Sequence, residues 1–167
     1  MAETAIDFSD SDKEQIWEKI RSILKNRRNP PKLKTLLNEW EENYGPQCND
    51  LAMELVGHNT RNAWANIAEE EQNNTIEGLI GLLWENFRQA GGEFTLEIKE
   101  DGTQIYCTKC PIADNYKEIG KPEYGLIFHC STDLFICQGF NPAIKFQRSK
   151  TLMEGDDCCD HFYSMED

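Results

Sequence analysis

The residues best suited to chemistry lie close together near the C-terminal end of the chain. Arg148 and Lys150 fall on the apolar face of a predicted strand, and Cys159 and His161 share a face of the next strand, because alternate strand residues point the same way. Glu154-Gly155-Asp156-Asp157 supplies the turn between them. If the two faces meet, cations lie beside a thiol and an imidazole, which predicts a site for nucleophilic and acid–base chemistry.

The two cations each need an anionic partner if they are buried. A substrate carboxylate would supply one, and so would Asp156, Asp157 or Asp160 near the turn. We expect an internal partner for one cation and a ligand for the other. The alternative is that both long side chains run along apolar surface with their charges in water.

Cys110 is a second candidate nucleophile. It precedes Pro111, and proline is tolerated at the first position of a helix, which places Cys110 at the N-cap. The helix dipole and the free backbone N–H groups stabilise a thiolate there, so the position predicts a lowered pKa. The alternative is a buried, unreactive thiol.

Asp133 follows Cys130 by three residues and precedes Cys137 by four. In a helix these three side chains lie near one face. The carboxylate would act as a base or hold a substrate amine, unless it caps the helix.

The cysteines also allow a metal site as an alternative. Cys107-x-x-Cys110 has the spacing of a ligand pair, but adjacent strand residues such as Cys158 and Cys159 point to opposite faces and cannot both join it. A mixed site would take a fourth ligand from His129, His161 or Asp133, and would hold zinc or an iron–sulfur cluster. The thiols of this alternative site are Cys107, Cys110, Cys130 and Cys159.

Two motifs near the C-terminus resemble a known family. Arg148-x-Lys150-Thr151-Leu152 followed by Gly155-Asp156-Asp157-x-Cys159-Asp160 is similar to the C-terminal signature of the L-2-amino-thiazoline-4-carboxylic acid hydrolase family. It is also distantly similar to the Gly-Asp-x-x-Cys-x-Phe ending of vinyl-reductase-type small-molecule-binding domains. His161 departs from the pattern, which has an apolar aromatic residue there.

Three further features fit the same resemblance, which spans roughly Asn59 to Phe162. They are Cys110-Pro111, Cys130-x-x-Asp133 and Gly139-Phe140-Asn141-Pro142. The resemblance leaves out the first fifty residues.

The resemblance implies hydrolytic opening of a small cyclic amidine-like carboxylate, of the 2-amino-thiazoline-4-carboxylate type, with no cofactor required. Cys110 or Cys159 would attack the ring carbon, His161 or Asp133 would move the proton, and Arg148 would clamp the carboxylate. Cys130 lies among the expected catalytic residues. The alternatives are a non-catalytic small-molecule-binding domain and the metal site.

Composition restricts the partners of the chain. Its 167 residues include 30 acidic and 17 basic side chains, and the net charge of −13 opposes binding to nucleic acid and to anionic membranes. Residues 1–12 lack the features of a signal peptide, and no run approaches the ~20 apolar residues of a membrane span. Seven cysteines, an odd number, favour free thiols over a disulfide framework. We therefore expect a cytoplasmic protein that acts on a small molecule.

The helical part of the chain is expected to come first. Residues 1–10 lack periodicity and are expected to be disordered, whereas residues 11–46 form a helical hairpin arm that covers the sheet or pairs two subunits as a homodimer. Residues 47–167 form an α+β domain that is compact with the arm. Its last long helix is expected to follow Asn74, an N-cap with Glu77 in a capping box.

A helix over residues 50–71 presents an unusually polar face. Asn59, Asn62 and Asn66 recur beside His58, and this face is either solvated or lines a polar pocket. The side chains predicted to bind the substrate are His58, Asn141, Arg148 and Lys150.

Strand patterns follow the helices. Phe94, Leu96 and Ile98 alternate with polar residues, and Asp101-Gly102 predicts a hairpin turn to a strand ending at Cys107. With the C-terminal strand pair, reaching from residue 143 to residue 163, this predicts an antiparallel sheet of about four strands covered by helices on one face.

Overall fold

The computed structural model describes residues 7–166 and confirms an α+β fold in which helices precede an antiparallel sheet. Alternating apolar residues produce the strands, and apolar residues at helical spacing produce the long helices. The helices are α1 (Asp10–Lys25), α2 (Pro30–Asn43), α3 (Asn49–Glu70), α4 (Ile76–Gln89), α5 (Pro111–Glu118), α6 (Pro122–Gly125) and α7 (Thr132–Phe140). The strands are β1 (Glu93–Lys99), β2 (Gly102–Lys109), β3 (Ile144–Gln147) and β4 (Cys159–Met165).

The sheet has the strand order β1-β2-β4-β3, and every neighbouring pair is antiparallel. β2 and β4 are therefore the central strands. In their register Cys107 lies opposite Cys159 and Ile105 lies opposite His161. These four side chains belong to the face that the helices cover, and all four are buried.

The N-terminal hairpin shares the core of the rest of the chain. Ile20 and Ile23 of α1 and Leu33, Leu37 and Trp40 of α2 are each at most 1% exposed. They pack in one hydrophobic cluster with residues of α3, α5 and β4. The hairpin therefore packs mainly against α3 and α5, and its pairing of two subunits stays a prediction.

Helix α7 is held closely against α3 by two glycines. A Cβ atom on Gly57 would lie 2.5 Å from the ring of Phe135, and a Cβ atom on Gly139 would lie 2.3 Å from the Arg61 carbonyl oxygen. Only glycine allows this approach, because any side chain would push the helices apart. The close contact fixes α7, which carries Asp133.

The segment after β3 differs from the sequence prediction. The predicted strand over residues 143–153 stops at Gln147, because Asp160 Oδ1 accepts hydrogen bonds from the backbone N–H groups of Ser149 (2.8 Å) and Lys150 (2.6 Å). These N–H groups therefore take no part in the hydrogen bonds between strands. A short 3₁₀ turn over Leu152–Glu154 follows.

Helix boundaries also differ at several points. The N-cap of α4 is Thr75, whose hydroxyl accepts from the Gly78 N–H over 3.2 Å, and not Asn74. Asn74 instead donates from its side chain to the Ala68 carbonyl over 3.3 Å. Helix α1 begins at Asp10 with Ser9 as its N-cap, so the predicted disorder is wrong there, and residues 1–6 of that prediction lie outside the described residues.

The apolar run before Asp133 forms a π-helical turn over Leu126–Cys130 that joins α6 to α7. Such turns are rare and occur frequently at functional sites. Among the helices of residues 7–166, none is long and apolar enough to cross a membrane.

Candidate functional site

A cavity of about 110 Å³ lies between the helices and the covered face of the sheet. Six of the residues predicted to act in catalysis or substrate binding line it, although they are distant in the chain. They are Cys110, Cys130, Asp133, Arg148, Cys159 and His161. The fold therefore gathers thiols, an imidazole, a carboxylate and a guanidinium around one small space.

Cys159 is the first residue of β4 and is 8% exposed. The backbone N–H of Leu152 donates a hydrogen bond to its Sγ over 3.2 Å. The neighbouring Cys107 thiol, then His161 and this N–H group, stabilise the thiolate, so the pKa of Cys159 is lowered well below that of an ordinary thiol although burial opposes the shift. The pKa of Cys107 is raised in turn by Cys159 and by burial. Of the two thiols, Cys159 is therefore the one whose pKa is lowered.

His161 lies on the same face of β4 and is 6% exposed. Its Nδ1 atom is 3.8 Å from Asp133 Oδ2 and has no hydrogen-bond partner among residues 7–166. The ring of Trp84 packs edge-on against the imidazole, with the centroids 4.8 Å apart. Cys159 and His161 thus share the cavity with Asp133, whose carboxylate lies near the imidazole.

Asp133 pairs with Arg148 next to the imidazole. The guanidinium donates to the carboxylate and also to the Cys130 carbonyl over 3.3 Å. The side chains of Arg148 and Asp133 are 18% and 19% exposed. Burial raises the pKa of Asp133, while His161 and Arg148 lower it. Arg148 therefore already has an internal partner.

Cys110 occupies the predicted N-cap of α5, and its Sγ accepts from the Ala113 N–H over 3.4 Å. The predicted lowering of its pKa is wrong. Burial raises the pKa of Cys110 and outweighs the stabilising backbone N–H groups. Burial likewise raises the pKa of Cys130. Burial thus favours the neutral form of both thiols.

Residues that the sequence did not single out as catalytic complete the lining. His129, considered there only as a metal ligand, reaches the cavity from the π-helical turn. Loss of water lowers its pKa to about 4, and the charges of Arg27 and Arg148 act in the same direction. Trp84 also lines the cavity, and its indole N–H donates to the Tyr163 hydroxyl over 3.1 Å. In the sequence, the indication of this lining residue is a tryptophan next to the apolar stripe of α4.

Three side chains predicted to bind the substrate lie elsewhere. Lys150 is exposed, because the strand that was to carry it ends earlier, and its Nζ is 3.2 Å from Asp157 Oδ1. Asn141 supports the backbone, since its amide donates to the Asn74 carbonyl over 2.8 Å. His58 is exposed on α3, so the polar face of this helix is solvated there. Arg148 alone of the predicted substrate-binding residues is at the cavity.

The four thiols of the alternative metal site do not form a cluster with ligand geometry. Within residues 7–166, no group of three or more His, Cys, Asp or Glu side chains is arranged to hold a metal ion. Cys110 and Cys107 are instead engaged with backbone groups, the latter with the Lys109 carbonyl at 3.4 Å. The metal site stays a prediction, which elemental analysis of anaerobically purified protein would test.

Comparison with known proteins assigns the family. A sequence profile described as L-2-amino-thiazoline-4-carboxylic acid hydrolase matches residues 27–163. The match starts well before Asn59, so it includes helix α2, which the sequence resemblance left out. No curated protein and no solved structure gave a significant match. Because the profile covers most of the chain, the chain belongs to the L-2-amino-thiazoline-4-carboxylic acid hydrolase family.

Proposed function

We propose that this protein hydrolyses a small cyclic amidine-like carboxylate of the 2-amino-thiazoline-4-carboxylate type, with Cys159 as its nucleophile. The observation that most supports this is the placement of Cys159 and His161 on one face of β4, at a cavity, in a chain of this family. Asp133 lies next to His161 and would orient its ring. Cys110 is the weaker candidate, because its thiol is neutral and caps α5.

The first step forms a covalent adduct. The Cys159 thiolate attacks the ring carbon of the C=N bond, and the π electron pair moves to the ring nitrogen, which takes a proton from His161. The bond between that carbon and the protonated ring nitrogen then breaks. Its electron pair leaves with the nitrogen, which becomes an amine by taking a proton from the exocyclic amino group, and a C=N bond forms to that amino nitrogen. The ring is now open, and the carbon remains bonded to the sulfur of Cys159.

The second step returns the enzyme to its starting state. Water attacks the same carbon, gives a proton to His161, and the carbon–sulfur bond breaks with its electron pair returning to Cys159. The product is heavier than the substrate by one water molecule. The hydrogen bond from the Leu152 N–H and the adjacent Cys107 thiol stabilise the departing thiolate.

The size of the cavity suits such a substrate. About 10–15 Å³ accommodates one water molecule, so a cavity of about 110 Å³ has room for a small ring with a carboxylate and an amine. Trp84, Phe87 and Ile136 supply an apolar wall for the ring.

The test uses 2-amino-thiazoline-4-carboxylate and follows the product by mass spectrometry. We expect turnover by the wild type, none by Cys159→Ser, and unchanged turnover by Cys158→Ser, whose half-buried thiol precedes the nucleophile in the chain. Circular dichroism checks that each variant is folded. Full activity in Cys159→Ser would rule out this nucleophile, and full loss in Cys110→Ser would reassign it.

A binding protein would behave differently in the same experiment. It would be stabilised against heat by the compound and would return it unchanged. That result would show that the protein binds the compound without hydrolysing it.

A further inference from the structure

The first strand of the sheet has a free edge. β1 (Glu93–Lys99) pairs with β2 on one side, and within residues 7–166 no strand pairs with its other side. All of its residues except Phe94 are exposed. An uncovered edge presents unpaired backbone N–H and C=O groups, which can pair with a strand of another chain.

The two edges of the sheet differ in length and composition. The opposite edge strand, β3, has only four residues and begins two positions after Pro142. β1 has seven residues and no proline, and its register irregularity lies at its first residue. It also exposes apolar side chains, since Leu96 is 44% and Ile98 81% exposed. Short strands and prolines are common means of preventing edge-to-edge pairing, and β1 lacks both.

The hairpin between β1 and β2 determines which residues of β1 direct their backbone groups to the free edge. Its turn has two residues, so the flanking Lys99 and Gly102 form a hydrogen-bonded pair. Hydrogen-bonded positions alternate along an antiparallel strand, and Leu96 and Ile98 therefore direct their N–H and C=O groups outward. Leu96 is the middle residue of the strand.

The sequence of β1 is complementary to itself in the antiparallel direction. When two copies of Leu96 face each other, Glu93 of one copy lies opposite Lys99 of the other, and Phe94 lies opposite Ile98. Two-fold symmetry makes each of these pairs occur twice. Opposite charges and apolar side chains that lie directly across from each other stabilise a strand pair.

Other alignments bring like charges together. The hydrogen-bonding pattern allows the two strands to shift only by two residues at a time. One such shift places Glu93 opposite Glu97, and the shift in the other direction places Glu97 opposite its own copy. Like charges directly opposite each other destabilise a strand pair, so charge favours the alignment centred on Leu96.

From this self-complementary edge we propose that two copies of the chain associate through β1 and join their sheets into one antiparallel sheet of eight strands. The pairing covers the exposed side chains of Leu96 and Ile98. The net charge of −13 on each copy opposes the association, so salt that screens this repulsion should strengthen it. The inference is independent of the proposed reaction.

Sedimentation equilibrium of the full chain at about 0.15 M salt tests the proposal. We expect the mass to rise from 19.3 kDa toward twice that value as the protein concentration approaches about 100 µM, which detects a micromolar Kd. Leu96→Lys places two ammonium groups opposite each other and should stay monomeric. The matched control is Leu134→Lys on α7, because Leu134 is also 44% exposed, and it should dimerise like the wild type.

Charge reversal tests the alignment itself. Glu93→Lys and Lys99→Glu each replace two attractive pairs by two repulsive ones, and each should weaken the dimer by about threefold to thirtyfold. An equal mixture of the two variants restores opposite charges at both positions, so we expect it to form a mixed dimer about as tightly as the wild type forms its own.

Amide exchange gives a readout at the strand. Protection of the Leu96 N–H should rise with protein concentration in the wild type and should stay low in Leu96→Lys at the same backbone position. A wild type that stays at 19.3 kDa would overturn the proposal. A dimer that persists in Leu96→Lys, or a mixture of the charge variants that stays monomeric, would overturn this surface and this alignment.

Discussion

The pH dependence of thiol alkylation should separate Cys159 from its neighbour Cys158. The perturbation is a change of pH from 5 to 7 with iodoacetamide in excess. Only the thiolate reacts, and an ordinary thiol with a pKa of about 8.5 gains about a hundredfold in thiolate over these two units. The pKa of Cys158 is raised by burial, so its rate should follow that steep rise.

Cys159 should respond much less. Because its pKa is lowered to about 4, chiefly by Cys107, it is already largely thiolate at pH 5, and its rate should rise by only about 10% between pH 5 and pH 7. The two rates at one pH are not diagnostic, because the intrinsic nucleophilicity of a thiolate falls with its pKa. The ratio of the Cys159 rate to the Cys158 rate should therefore fall steeply as the pH rises.

Tandem mass spectrometry of the peptide that contains both residues measures the two rates in one sample. In Cys107→Ala the neighbouring thiol is absent, and the Cys159 profile should become steeper. Parallel profiles for Cys158 and Cys159 in the wild type would refute the assignment of Cys159 as the ionised thiol. The nucleophile would then have to be sought elsewhere.

Three further changes test the surroundings of the site. Asp133→Asn should abolish turnover. It should also lower the free energy of unfolding by about 1–3 kcal/mol in urea titrations, because Arg148 loses its counter-charge in a partly buried place. Unchanged turnover would contradict the role given to the carboxylate. The pKa of His129 is lowered to about 4 in the folded state, so the unfolded chain binds more protons from about pH 6.5 downward. Stability should fall as the pH drops toward 4, and the fall should be smaller in His129→Gln; equal profiles would argue against this titration. Gly57→Ala, where a Cβ atom would lie 2.5 Å from an aromatic ring of α7, should destabilise by about 1–3 kcal/mol. Gly81→Ala, at an exposed position of α4 with open space around the Cβ atom, should be neutral or stabilising. The reverse order in thermal denaturation would contradict the close packing of α3 and α7.

Local patterns in the sequence determined the elements and some of the facing side chains. Alternation placed Cys159 and His161 on one face of a strand, and the proline after Cys110 marked a helix N-cap; both placements are present in the structure. The arrangement of helices before an antiparallel sheet also followed from periodicity. These features depend on residues a few positions apart, which is why a single sequence reveals them.

Side chains that accept hydrogen bonds from backbone N–H groups, in place of a neighbouring strand, were harder to predict. Residues 148–150 alternate like a strand, yet Asp160 binds their backbone N–H groups and ends β3 at Gln147. Lys150 is consequently exposed and not at the cavity. The periodicity carries no information on such hydrogen bonds, because their partners are distant in the chain.

Only the tertiary structure decided which groups are charged and which are paired. The pKa of a cysteine is lowered at Cys159 and raised at Cys110, because the first has a neighbouring thiol and an imidazole whereas burial dominates at the second. The pairing of Arg148 with Asp133 likewise arises from a contact between separate elements. A pKa depends on the solvent access and charges within a few ångströms, and folding brings these together from across the sequence.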